Sequence, residues 1–177
     1  MQLEDYQLGY VTDWAGFAFI RVLPNPAPKM SEDDETVTRD HIPLGYVFVI
    51  DPKFGSGAQY KLPSGHKKGV DATPLETAAR EMLGETGIPV EPKFFRYAGK
   101  WLGWRKDHWR CLFVVDITEK DRDWMNDLDA ENEGERPKYF TVEEFYECVR
   151  TGGFMRVHYN MLEEHMLVLQ LGRDKVA

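Results

Sequence analysis

The sequence predicts a mixed α/β domain, and three observations carry that expectation. Phe17 to Leu23, Leu44 to Ile50 and Cys111 to Ile117 are short runs rich in β-branched, aromatic and aliphatic residues, as strands are. Thr73 to Gly87 carries helix signals at both ends. Thr141-Val142-Glu143-Glu144 repeats the start signal close to the C-terminus.

The elements follow in order. Tyr10-Val11 and Phe17 to Leu23 form an N-terminal strand region over 1–40, and Pro24-Asn25-Pro26-Ala27-Pro28 cannot continue the strand. The acidic run Glu32 to Glu35 reads as a solvated loop. Leu44 to Ile50 is continuously apolar, which predicts burial on both faces. A turn over Asp51 to Gly57 leads to a short strand, Gln59 to Leu62, and then to a loop over Pro63 to Ala72. In the next helix Thr73 is the N-cap, Pro74 fits the first turn, and Glu76 completes a capping box. Leu75, Ala78, Ala79, Met82 and Leu83 supply its apolar face, and Gly87 stops it.

Phe94 to Ala98 and Cys111 to Ile117 are strands. Between them, Trp101, Trp104 and Trp109 interleave with Lys100, Arg105, Lys106 and Arg110. That pattern suits stacking a base beside a phosphate, and equally suits a hairpin whose tryptophans pack on the core. Thr118 to Arg136 is an acidic loop, and Lys138 to Phe140 a short strand. A helix runs from Val142 to Arg150 on Phe145, Cys148 and Val149, and Gly152-Gly153 ends it. A last helix spans Tyr159 to Leu171, with Leu162, Met166 and Leu169 inward, so that helices occupy 141–171.

Composition narrows the function. A chain of 177 residues reads as one domain over 1–177, and 42% apolar residues exclude a disordered chain. The formal charge of −8 argues against broad nucleic-acid or anionic-membrane binding, so a phosphate site must be built locally. Cys111 and Cys148 lie in apolar surroundings and read as thiols of a reducing compartment. No leader and no run of about 18 apolar residues is visible, so a soluble, cytoplasmic protein is expected. His41, His66, His108, His158 and His165 show no zinc spacing. His66, beside Gly65, could touch a substrate or simply fix its loop.

Glu81 and Glu85 stand four residues apart, so one helix face presents both carboxylates, one turn apart. Such a pair can share a hard divalent cation. The stretch Gly65 to Ile88, GHKKGVDATPLETAAREMLGETGI, resembles the Nudix box, G-x5-E-x7-R-E-U-x-E-E-x-G-U with U aliphatic. Arg80, Glu81, Met82, Glu85, Gly87 and Ile88 match directly, and Gly65 matches the opening glycine with one extra residue before Arg80. The first glutamate position falls on Asp71 counted forward, or on Ala72 counted back. Gly84 stands where the family has the first glutamate of its pair.

The resemblance implies an α/β/α sandwich with a mixed central sheet. It implies hydrolysis of a pyrophosphate bond in a nucleoside diphosphate linked to another group, with Mg²⁺ or Mn²⁺ held by Glu81 and Glu85. It assigns Arg80 to bracing the catalytic loop, and it makes Glu135, with Glu133 as the alternative, the candidate base in the acidic loop. Lys61, Lys67, Lys68 and Trp104 are the candidate substrate contacts. The implied partner is a small nucleotide or another pyrophosphate, and the reading leaves room for a homodimer. Gly84 opens two outcomes: an enzyme in which water fills the missing ligand position, or a Nudix-like nucleotide-binding module that kept the fold and lost hydrolysis.

Overall fold

The computed structural model describes residues 12–24, 43–102, 108–122, 125, 134–165 and 167–168. Tyr10-Val11, the acidic run at 32–35 and most of the acidic loop after Arg122 lie outside them.

Strand β1 (Trp14–Leu23) is the middle of the sheet, and β2 (Gly45–Ile50) pairs antiparallel with its second half. Asp51 then caps a 3₁₀ turn over Pro52–Gly57, and the chain returns as β3 (Tyr60–Lys61) against β2. Part of the expected loop is a strand, β4 (Ser64–His66), antiparallel to Ala15–Phe17. The reason lies in β1, which begins earlier than its apolar run. Backbone groups at Ala15–Phe17 lie beyond the reach of β2, and β4 satisfies them.

Helix α1 (Pro74–Thr86) begins and ends as its signals require. Thr73 accepts the Glu76 N–H, and Gly87 takes a left-handed φ of 72°. One detail differs: the Glu76 carboxylate accepts the N–H of Ala72 rather than that of Thr73, so the box closes one residue early. Ala78 and Met82 are buried and Leu75 and Ala79 pack at the margin, but Leu83 is 51% exposed. The buried stripe runs through Pro74, Thr77, Ala78, Met82, Glu85 and Thr86, and Leu83 falls on the other side of the helix.

A 3₁₀ turn at Pro92–Phe94 precedes β5 (Phe95–Leu102), which forms a hairpin with β6 (Trp109–Thr118). Strand β6 lies parallel to β1 along its whole length, the one parallel pairing among the described strands. A single helical turn, α2 (Glu119–Arg122), follows. Strand β7 (Arg136–Thr141) pairs antiparallel with β2. Thr141 and Glu144 form a complete capping box for α3 (Val142–Arg150). The last helix, α4, covers Arg156–Glu164, so it starts earlier and stops sooner than Tyr159–Leu171. Leu162 is buried as expected, while Met166 and Leu169 lie outside the described residues.

Alternation along β1 and β6 sends side chains to two cores. Trp14, Ala18, Ile20, Val22, Cys111, Phe113 and Val115 meet α1. Phe17, Phe19, Leu112 and Val114 meet α3 and α4 through Phe145, Tyr159 and Leu162. The result is a helix layer on each face of a mixed sheet, the architecture the resemblance implies. Trp101 and Trp109 belong to this packing. Trp101 lies 5.9 Å from Phe17, and Lys100 sits 4.5 Å from the Trp109 ring. Trp104, Arg105 and Lys106 lie outside the described residues. Both cysteines are free; Cys111 is buried, which pushes its thiol up to about 12, and Cys148 is half-buried.

Candidate active site

Three segments meet at one end of the sheet: the run from Lys61 through β4 to Asp71, helix α1, and the residues entering β7. The helix brings Glu81 and Glu85. Gly65 lets the loop come close, because a Cβ there would lie 2.2 Å from Glu81 Oε1.

Arg80 ties loop to helix. Its Nε donates to Asp71 Oδ1 at 3.0 Å and its Nη2 to Asp71 Oδ2 at 2.7 Å, a bidentate pair. Further guanidinium N–H groups donate to Glu81 Oε1 and to the His66 carbonyl. Asp71 also accepts from the Lys68 N–H and from Thr77 Oγ1, and that hydroxyl accepts from Trp14 Nε1 at 2.8 Å. Arg80 holds the Asp71 carboxyl down at about 2, against an ordinary 3.8. Of the two residues that counting allows at the first glutamate position, Asp71 is the one that faces Arg80.

Glu85 sits on the buried stripe, 6% exposed. Its Oε2 accepts the Ser64 N–H at 3.0 Å, and its Oε1 accepts from Lys61 Nζ at 3.1 Å. Lys61 also donates to Glu135 Oε1 at 2.7 Å. The side chains of Lys61, Glu85 and Glu135 are only 18%, 7% and 10% exposed. Burial pushes the Glu85 carboxyl up; the Lys61 charge opposes this and the neighbouring Glu135 adds to it. Burial works against the Lys61 ammonium, but the two carboxylates hold it above its ordinary value.

Beside this cluster opens a cleft of about 460 Å³, lined among others by Lys61, His66, His108, Arg110 and His158. His66 and His108 face each other at 4.9 Å. His158 is buried, and its Nδ1 accepts the Leu62 N–H at 3.0 Å, which fixes it as the neutral ring. Burial drives its pKa down to about 3.

The structure thus joins Arg80 to Glu81 in one linked group and Lys61 to Glu85 and Glu135 in another, both anchored on α1. It places Lys61 between two carboxylates, where the sequence alone suggests a phosphate contact. Lys67 sits 4.0 Å from the Trp14 ring. Lys68 uses its backbone N–H on Asp71, and its exposed side chain lies at the loop surface. Trp104 and Glu133 lie outside the described residues. Sequence reasoning missed His158 and the Ser64 N–H. Nothing in spacing announces either, since both depend on how α4 and β4 fold back.

Comparison with known proteins fits this geometry. A profile of the NUDIX domain matches residues 37–163. The chain belongs to the Nudix family. It is 32% identical over 76 residues to the proteins named phosphatase NudJ of Escherichia coli K12 and of Shigella flexneri, covering 42% of this chain and 49% of each relative. The chain therefore spans about half the length of the curated relatives it matches. The fold resembles the crystal structure of a mutT/nudix family protein from Listeria innocua, with a TM-score of 0.57 at 11% identity over 90% of this chain and 94% of that one. Among the described residues no helix is long and apolar enough to cross a membrane.

The family generally uses divalent metals, and the donors of this site can be set against such an ion. Glu81, Glu85 and Glu135 offer only carboxylate oxygens, which suit Mg²⁺ or Mn²⁺. Among the described residues no three acidic, histidine or cysteine side chains already converge on one point. The Lys61 ammonium stands beside two of these carboxylates as a cation in its own right. The donor chemistry fits, provided Lys61 can yield.

Proposed function

We propose that this protein is a divalent-cation-dependent hydrolase of a pyrophosphate bond, acting on a nucleoside diphosphate linked to another group. The observation that carries the reading is Glu81 and Glu85 on one face of α1, with Glu81 fixed by Arg80 and Glu85 by the Ser64 N–H, near a cleft whose lining includes Lys61, Arg110 and Asp13. The phosphatase name of the NudJ relatives supports hydrolysis at phosphorus.

In this reading Glu81 and Glu85 hold Mg²⁺ or Mn²⁺, which when bound offsets negative charge on the phosphoryl oxygens. Arg80 keeps the loop from Gly65 to Asp71 and the Glu81 carboxylate in fixed relation, so little reorganisation is needed on substrate binding. Arg110, with Lys61 when released, meets the anionic substrate in the cleft. Glu135 accepts the proton of the attacking water.

A second reading, a Nudix-like binding module with little or no turnover, is favoured by Gly84. Apart from its chain neighbours and the backbone of its own helix, no described atom lies within 4 Å of a Cβ built at Gly84, so no packing demand explains the loss of a carboxylate there. Hydrolysis of a panel of nucleoside diphosphate derivatives with Mg²⁺ and with Mn²⁺ separates the two. Metal-dependent release of phosphate-bearing products is expected. Binding of the same compounds without turnover under either metal would establish the module instead.

A further inference from the structure

Lys61 sits between two carboxylates from different elements, Glu85 on α1 and Glu135 just before β7. Its side chain is 18% exposed, against 68% for Lys53 and 65% for Lys93 in their surface pairs. An ammonium this enclosed contributes a full positive charge to the spot where Glu85 would hold a divalent ion. We propose that Lys61 is an exchangeable counter-cation of the active site: it neutralises Glu85 and Glu135 while no divalent ion is bound, and it must leave both before one can bind.

The proposal rests on the reading of Glu85 as a metal ligand, and two features carry it further. The first is charge. A divalent ion and an ammonium cannot both contact Glu85 in a buried pocket without strong repulsion. Gly84 supplies no additional carboxylate to lessen it. The second is the engagement of Glu135. Lys61 donates to Glu135 Oε1 as well as to Glu85 Oε1, so departure of the ammonium removes a hydrogen bond from both carboxylates at once. Ion binding and a change in the surroundings of the candidate base are then one event. A lysine suits this exchange better than an arginine, because its point charge on a flexible stem is not locked by a planar fork.

The test is divalent-ion binding by the full chain, measured by calorimetric titration with Mg²⁺ and with Mn²⁺, on the wild type, Lys61→Met and Lys61→Gln. Circular dichroism first checks that each variant folds, and the glutamine variant serves where the methionine variant does not. Both variants should bind the ion roughly tenfold tighter or more, since no resident cation has to leave. Without metal both should melt below the wild type, and saturating Mg²⁺ should close most of that gap. A purely structural lysine would lower the melting temperature equally with and without Mg²⁺ and leave affinity unchanged. Equal or weaker affinity in a folded variant, with the wild type still binding, overturns the counter-cation role alone. No binding by wild type or variants, even at millimolar excess, overturns the metal reading and this inference with it. Binding by the variants where the wild type shows none supports the inference in its strongest form.

Discussion

Two cations meet the carboxylates of α1, and they meet them differently. Arg80 belongs to the helix itself and reaches back to the loop that precedes it, with Asp71 nine residues away taking both of its parallel N–H groups. Lys61 lies on β3 and joins that strand to the helix and to the entry of β7, 24 and 74 residues away in sequence. Asp71 is anchored in its own right by Thr77 and the Lys68 N–H, as Glu85 is by the Ser64 N–H. Around Lys61 there is one ammonium for two buried carboxylates. The first arrangement is a brace, and the second, under the counter-cation proposal, is an equilibrium between cations. Substitutions on either side should therefore fail in different ways.

The largest effect is expected at Glu85. Glu85→Gln keeps shape and removes charge, and under the proposed function turnover should fall roughly 10²- to 10³-fold, about 3–4 kcal/mol in transition-state stabilisation. Glu81→Gln should lose comparable activity, yet the two should differ in stability. The Glu81 amide oxygen can still accept from Arg80. The Glu85 amide must satisfy both the Ser64 N–H and the Lys61 ammonium with a single oxygen, so Glu85→Gln should also lose about 1 kcal/mol of folding stability. Steady-state rates and denaturant unfolding on the pair check this. Near-normal turnover of Glu85→Gln at saturating Mg²⁺ would remove Glu85 from the metal site.

Asp71→Ala attacks the brace. It takes both Asp71 oxygens from Arg80, which keeps Glu81 and the His66 carbonyl, and it unseats the Lys68 N–H and Thr77; with Arg80 partly exposed the expected loss is about 2–3 kcal/mol. Activity should fall with it, through misplacement of the loop. The same pair predicts an acid dependence. Asp71 ionises near 2 in the folded chain against 3.8 ordinarily, so its contribution is complete above the ordinary value and is lost as pH falls through about 2. Unfolding curves of Asp71→Ala and wild type should converge at the acid end of that window.

How much of the molecule is legible in its residues follows the same division. The brace is local: the Thr73 cap and Gly87 fall where short-range rules put them, and Arg80 pairs back to the loop as the resemblance implies. Even the choice between Asp71 and Ala72 is confined to one position. The Lys61 cluster is not local. Its members come from β3, α1 and the approach to β7, and only strand pairing decides that a lysine in a two-residue strand points at a helix carboxylate. The extra strand β4 is hidden for a related reason, since Ser64-Gly65-His66 has no strand propensity and pairs because β1 has backbone groups to satisfy.

His158 gives a pH-dependent effect that bears on the cleft rather than on either cation. Its folded pKa of about 3 lies below the ordinary 6.5, so between these values the unfolded chain binds a proton that the folded chain does not. Wild-type stability should therefore decline as pH falls from about 6.5 toward 3. His158→Gln can still accept the Leu62 N–H but does not titrate, so its stability profile should be flatter across that window. Parallel profiles would mean that the ring is protonated in the fold, contrary to its acceptor role.

The smallest effect is expected at Gly84, and it bears most directly on whether the Lys61 side of the site is short of charge. With φ in the helical range and open space around a built Cβ among the described residues, Gly84 is required neither by backbone conformation nor by packing. Gly84→Ala should stabilise the chain by up to about 1 kcal/mol through helix propensity alone. Gly84→Glu should gain nearly as much propensity and add a carboxylate next to Glu85 in sequence, three residues after Glu81. A new negative charge there has two clients. It can strengthen divalent binding, or it can give Lys61 a third partner and hold the ammonium in place. Titration with Mg²⁺ on Gly84→Glu alone and combined with Lys61→Met distinguishes them. Under the counter-cation proposal the gain in affinity should be modest in the single variant and larger in the double variant. Equal gains would mean that Lys61 does not compete for the site. No gain in either, with stability raised as in Gly84→Ala, would mean that position 84 points away from the metal.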